Sequence, residues 1–99
     1  MKIDAKKDNN SLIITLEGRL DTNTYSELEK SLGDLTEIKT IIFDFEKLDY
    51  ISSAGLRVLL SCRKEMDKKS GNVIVKNVKD QINDVFEVTG FSDVLTIEK

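Results

Sequence analysis

Histidine, proline and tryptophan are absent from this chain, and cysteine occurs once. Without histidine there is no imidazole to act as a general base near neutral pH, so Ser-His-Asp and Cys-His nucleophiles are excluded. A nucleophile-elbow serine also needs glycine two residues earlier, and before Ser53 that position holds Ile51. Cys62 has no second cysteine to pair with and no base to activate it, which makes it a structural thiol. Cys/His metal clusters are excluded by the same count, and the acidic residues show no calcium-loop spacing. Glycine is sparse, with five residues, and a phosphate-cradling loop needs several of them and a lysine just before a helix; only Gly55 stands near such a place. No cofactor is called for. No apolar run approaches the roughly 20 residues of a membrane span, and Met1-Lys2-Ile3-Asp4 lacks the apolar core of a signal peptide. A cytoplasmic location is expected, with no membrane contact. The net charge of -3 and the scattered lysines argue against direct nucleic-acid binding.

What is present fits one domain over residues 1–99, because 39% apolar content in 99 residues supports one modest core. Met1 to Asp8 alternates weakly, Asn9-Asn10 signals a turn, and Leu12 to Leu16 is a strand, so an antiparallel hairpin is predicted. Thr24 with Glu27 three residues later matches a capping box, and a helix follows to about Leu32, where Gly33-Asp34 stops it. Ile38 to Phe45 is β-branched and aromatic with little alternation, which predicts a central strand covered on both sides. Leu48 to Ile51 reads as a short link. A second helix from about Ser53 to Lys69 turns Leu56, Leu59, Leu60, Arg63 and Met66 to one side. Ser70-Gly71 ends it, Val73 to Val75 is a strand, Ile82, Val85 and Phe86 mark a third helix capped at Thr89-Gly90, and Leu95 to Ile97 is the last strand. The order implies an α/β fold with a mixed, mostly parallel sheet, an N-terminal antiparallel hairpin and three to four helices packed on it.

Ser52-Ser53-Ala54-Gly55-Leu56 places two hydroxyls at the start of the second helix, where free N–H groups and a partial positive charge suit a capping serine or a phosphate. Either serine can serve as a plain cap. Ala54 and Gly55 are small, which is expected to leave the serine accessible and let a partner approach. A leucine at Gly55 is then expected to block a partner without disturbing the fold. Sites in open α/β sheets form beyond the carboxyl ends of strands, and the loops around Asp21 and Ser53 both follow strands and precede helices. Asp44, Glu46 and Asp49 read as solvated loop charges rather than an acid-base pair.

Gly18-Arg19-Leu20-Asp21, the strand Ile41 to Phe45 and Leu48 to Arg57 together resemble the STAS domain of bacterial anti-sigma factor antagonists, and the resemblance extends to Thr89-Gly90-Phe91. It implies a regulator rather than an enzyme. In the family's scheme the unphosphorylated antagonist binds an anti-sigma factor that is also a serine kinase, freeing the sigma factor; phosphorylation of one serine reverses this, and a metal-dependent serine phosphatase restores it. Aligned on Gly55, the acceptor falls on Ser53. The resemblance places Asp21, Ser52, Ser53, Ala54, Gly55, Leu56 and Arg57 at the partner-binding surface. Ser52 stands where many members have aspartate, Ala54 where others have Ser or Thr, and Arg57 where many have glycine. Asp21 has a second reading as a turn or capping aspartate. The rival functions are a STAS scaffold or ligand-sensing module that is never phosphorylated, and a small enzyme acting through Asp21, Asp44 or Ser53.

Overall fold

Leu12, Ile14 and Leu16 alternate with Ile13 and Thr15, and this period of two assigns one face of a strand to the interior and the other to solvent. In the computed structural model, which describes residues 1–98, that strand is β2 (Ser11–Leu20), paired antiparallel with β1 (Lys2–Asp8). Lys99 lies outside the described residues. The hairpin turns at Asn9-Asn10 as expected, with Asn9 at φ 55°, a left-handed conformation that asparagine tolerates.

From β2 onward the strands are parallel: β3 (Thr40–Ile51), β4 (Asn72–Lys76) and β5 (Thr96–Ile97). Between them run α1 (Tyr25–Leu32), α2 (Ser53–Asp67) and α3 (Asp80–Thr89), the last followed by a 3-10 turn, Phe91–Asp93. The sheet order β1-β2-β3-β4-β5 follows the chain. Each crossover therefore steps one strand in the same direction, and crossovers of one hand all lay their helices on the same face. The rows Leu12, Ile41, Val73 and Ile14, Phe43, Val75 face those helices and are buried.

The row Ile13, Ile42, Ile74 points the other way and is only partly buried. This corrects the expectation for the central strand: β3 is central in order but covered on one side. Its low alternation reflects isoleucines on an open sheet face. The strand is also longer than expected, because Leu48 to Ile51 continues it instead of forming a link. Register shifts against β2, between Thr15 and Glu17 and between Gly18 and Arg19, let Leu48 and Ile51 both face the core despite their odd spacing. Asp44, Glu46 and Asp49 consequently sit on a strand and not in a loop. Two of the three carboxylates are engaged: Asp44 accepts hydrogen bonds from the Glu46 N–H and the Asn77 side chain, and Asp49 pairs with Lys79 at 3.1 Å, while Glu46 is exposed.

The helices end as their sequences require. Gly33 and Gly90 stop α1 and α3 with φ of 60° and 81°, and Ser70 takes φ 58° just past α2. α2 buries Leu56, Leu59 and Met66, and also Val58 and Cys62, which line a cleft toward Leu32 and Leu35 beside α1. Burial pushes the Cys62 thiol from 9.0 up to about 12, with Glu65 adding to the effect, so the cysteine is an inert core residue as its isolation suggested. Phe45 stacks on Phe86 with ring centroids 6.3 Å apart, fixing α3 against β3.

Candidate functional site

The parallel register pairs Leu20, the last residue of β2, with Ile51, the last of β3. One step further the Ser52 N–H donates to the Leu20 carbonyl at 2.9 Å, so the ladder runs past both strand ends. The loop beginning at Asp21 and the helix start at Ser53 thus leave the sheet side by side.

Asp21 is held by its own turn. Its Oδ1 accepts from the Asn23 N–H at 2.9 Å, an Asx-turn, and its backbone carbonyl accepts from the N–H groups of Thr24 and Tyr25. Oδ2 lies 3.5 Å from the Arg19 guanidinium. These contacts, the Asn23 N–H foremost, hold the carboxyl below its ordinary value of 3.8 against the opposing effect of partial burial. Asp21 is therefore a carboxylate at neutral pH, with its side chain 19% exposed. Thr24 sits where a capping residue would, but its hydroxyl turns backward: it accepts from the Asp21 N–H at 2.9 Å and donates to the Arg19 carbonyl at 2.7 Å. The expected capping box with Glu27 is not formed, since Thr24 makes no side-chain cap bond to α1. The nearer, fixed groups of the β2 end outcompete the helix N–H groups for the one hydroxyl.

Arg19 links the two strand ends on the open face. It is the register partner of Tyr50, and its guanidinium carbon lies 4.2 Å from the Tyr50 ring centroid. Sequence reasoning treated Tyr50 as part of a link and gave Arg19 no role. The signal was present only in the parallel alignment of the two strand ends.

Ser52 occupies the N-cap position of α2, with φ -102° and ψ 176°, and its carbonyl accepts the first helical bond from Leu56. Its hydroxyl makes no cap, and the oxygen is buried without a hydrogen-bond partner among the described residues. Ser53 is the first helical residue and is exposed. Neither serine acts as the side-chain cap that either was able to provide.

Ala54, Gly55 and Leu56 point inward and are buried, while Arg57 is exposed. A Cβ on Gly55 would fall 2.7 Å from Leu20 Cγ and 2.9 Å from Ile51 Cγ1, closer than real Cβ atoms approach. Gly55 thus lets α2 settle on the ends of β2 and β3, a packing need in place of the opening for a partner that the sequence reading gave it, while Ala54 borders the space between α1 and α2. What this end offers to solvent is Ser53, Arg57 and the Asp21 loop. Beside them a groove of about 350 Å³ runs between α1 and α2, lined by Thr22, Tyr25, Glu29 and Arg57 among others. Among the described residues no cluster of His, Cys, Asp and Glu is placed to hold a metal ion, and no helix is long and apolar enough to cross a membrane.

A family model described as the STAS domain matches residues 2–99. BtrV of Bordetella bronchiseptica, named as a candidate anti-sigma factor antagonist, is 31% identical over 98% of this chain and 85% of its own length. The anti-sigma-B factor antagonist of Staphylococcus aureus is 27% identical over 87% of this chain and 82% of its own. Among solved structures, the unphosphorylated form of the Bacillus anti-sigma factor antagonist SpoIIAA superposes with a TM-score of 0.80 at 20% identity, covering 99% of this chain and 88% of that one. Its phosphorylated form gives 0.71, again over 99% of this chain. At that identity the likeness speaks for the fold.

Proposed function

The chain belongs to the STAS domain family, and from that premise we propose that it is an anti-sigma factor antagonist that works by partner switching in the bacterial cytoplasm. Unphosphorylated, it binds an anti-sigma factor with serine kinase activity and frees the sigma factor; phosphorylation of Ser53 ends that binding, and a metal-dependent serine phosphatase restores it. The observation that carries this reading is the exposed Ser53 hydroxyl at the first position of α2, on a helix start whose next three residues are turned inward.

The chemistry of the switch follows from that placement. A phosphoserine adds about -1.5 to -2 charges and three acceptor oxygens, and at a helix N-terminus the free N–H groups and the helix dipole favour it. The domain therefore tolerates the modification without a large rearrangement. A partner covering the same spot has to desolvate that charge, next to the carboxylate of Asp21, and loses affinity. Ser53, Arg57 and the Asp21 loop form the contact, while Ala54, Gly55 and Leu56 support it from beneath; the buried Ser52 hydroxyl is the poorer acceptor.

The test is intact mass and phosphopeptide mapping after incubation with ATP and the cognate kinase. Wild type and Ser52→Ala gain one phosphate on the peptide carrying Ser53, and Ser53→Ala gains none; full modification of Ser53→Ala overturns the assignment. Ser53→Asp is expected to weaken the complex by about 1–3 kcal/mol in calorimetry, less than true phosphoserine, because aspartate carries less charge and fewer acceptors.

A further inference from the structure

We propose that the free edge of β1 pairs with the same edge of a second copy of this chain, antiparallel about Ala5, joining two sheets into one. Among the described residues β1 has a single neighbour, β2, and all of its residues except Ile3 are exposed. The hairpin closes on the pair Asp8 and Ser11 across a two-residue turn. In such a ladder the closing pair exchanges both its hydrogen bonds and alternate pairs follow suit. Lys2, Asp4, Lys6 and Asp8 thus direct their backbone groups to β2, and Ile3, Ala5 and Lys7 direct theirs to the open edge.

Side chains alternate with the same period. Lys6 shares a row with Ile13 and Ile42 on the helix-free face, so Lys2, Asp4, Lys6 and Asp8 all stand on that face. Setting Ala5 opposite Ala5 of the second copy places Lys2 against Asp8, Asp4 against Lys6, Lys6 against Asp4 and Asp8 against Lys2. Every facing pair is of opposite charge. The same register sets the free backbone groups of Ile3, Ala5 and Lys7 opposite those of Lys7, Ala5 and Ile3, as an antiparallel ladder requires. A slip of two residues either way brings Asp4 against Asp4 or Lys6 against Lys6, and an in-register parallel pairing sets like on like throughout. Cross-strand opposite charges stabilise and facing like charges destabilise, so the row disfavours the neighbouring registers, and a slip of four, which again sets Lys against Asp, keeps only two of the four facing pairs. Lysine on an edge strand ordinarily keeps strands apart; here the alternating aspartates cancel that effect for one partner, a copy of the same strand. At the other edge β5 has only two residues, Thr96–Ile97, too few to template a ladder.

The pairing is independent of the functional reading above. Sedimentation equilibrium of the full chain tests it. Wild type is expected to show a reversible dimer at concentrations on the order of 0.1–1 mM, with the dissociation constant rising at least about tenfold between roughly 0.05 M and 0.5 M salt. D4K/D8K and K2D/K6D, all exposed positions, are each expected to dimerise about tenfold more weakly alone and to recover as an equimolar mixture. Ala5→Pro removes the central edge N–H while leaving the bonds to β2, so it abolishes the dimer with the circular dichroism spectrum unchanged. A monomer at 1 mM in low salt overturns the proposal, as does a dimer insensitive to the charge reversals or to Ala5→Pro.

Discussion

The two strand-to-helix junctions at the carboxyl end of the sheet, β2 into α1 and β3 into α2, lie one hydrogen bond apart and are held in opposite ways. The first carries a polar lattice, in which Asp21, Thr24 and Arg19 bind one another and the backbone between buried Leu20 and Leu28. The second has no side-chain cap and is held by shape, with Gly55 pressed against Leu20 and Ile51. A junction built on hydroxyls and carboxylates has none to spare for chemistry. One built on close apolar contact leaves its first helical hydroxyl unengaged, and that hydroxyl is Ser53.

Three substitutions probe this contrast by urea denaturation, which reads stability from the midpoint at constant slope. Gly55→Leu has the largest expected effect, a loss of at least about 3 kcal/mol or of cooperative folding altogether, because the added side chain has to enter a space already filled by buried Leu20 and Ile51. The sequence reading expected the opposite, a folded protein that fails only to bind; an unchanged midpoint would return the argument to that position. Thr24→Val keeps the shape at the first junction but removes the hydroxyl bonded to Asp21 and Arg19, for an expected loss of about 1–2 kcal/mol. A neutral result there would show that the polar lattice is ornamental. Ser53→Ala is expected to change stability by no more than about 0.5 kcal/mol, since the hydroxyl caps nothing and lies exposed. A loss beyond 1 kcal/mol, roughly the worth of a cap, would erase the difference between the junctions.

Patterns confined to neighbouring residues were legible in the sequence. The alternation of Leu12, Ile14 and Leu16, the stops at Gly33 and Gly90, and the turn at Asn9 depend on local geometry, and each stands where expected. The mixed, mostly parallel sheet followed from the order of elements and the hand of crossovers, whereas the meeting of the Asp21 and Ser53 loops depends on β2 and β3 being neighbours, which the register of the sheet supplies. What escaped depends on which groups compete for a contact. Thr24 and Glu27 have the spacing of a capping box, yet the Arg19 carbonyl and the Asp21 N–H reach the hydroxyl first. Ile42 looks like a core residue because composition does not say which sheet face carries helices. Gly55 looks like a vacancy because the neighbours that fill it, Leu20 and Ile51, come from two strands.

A sheet whose spatial order repeats its chain order also sets a schedule for assembly. Each strand after the hairpin docks on the one made just before it, so every loop to be closed spans a single crossover and the entropic cost of closure stays low at each step. The nascent chain can add one unit at a time onto the β1–β2 hairpin. The end that carries Ser53 needs only β2, β3 and the start of α2, and is complete while the last third of the chain is still to be placed. β5, with two residues at the far edge of the sheet from the hairpin, is expected to dock last and open first, which hydrogen exchange at Thr96 and Ile97 would read.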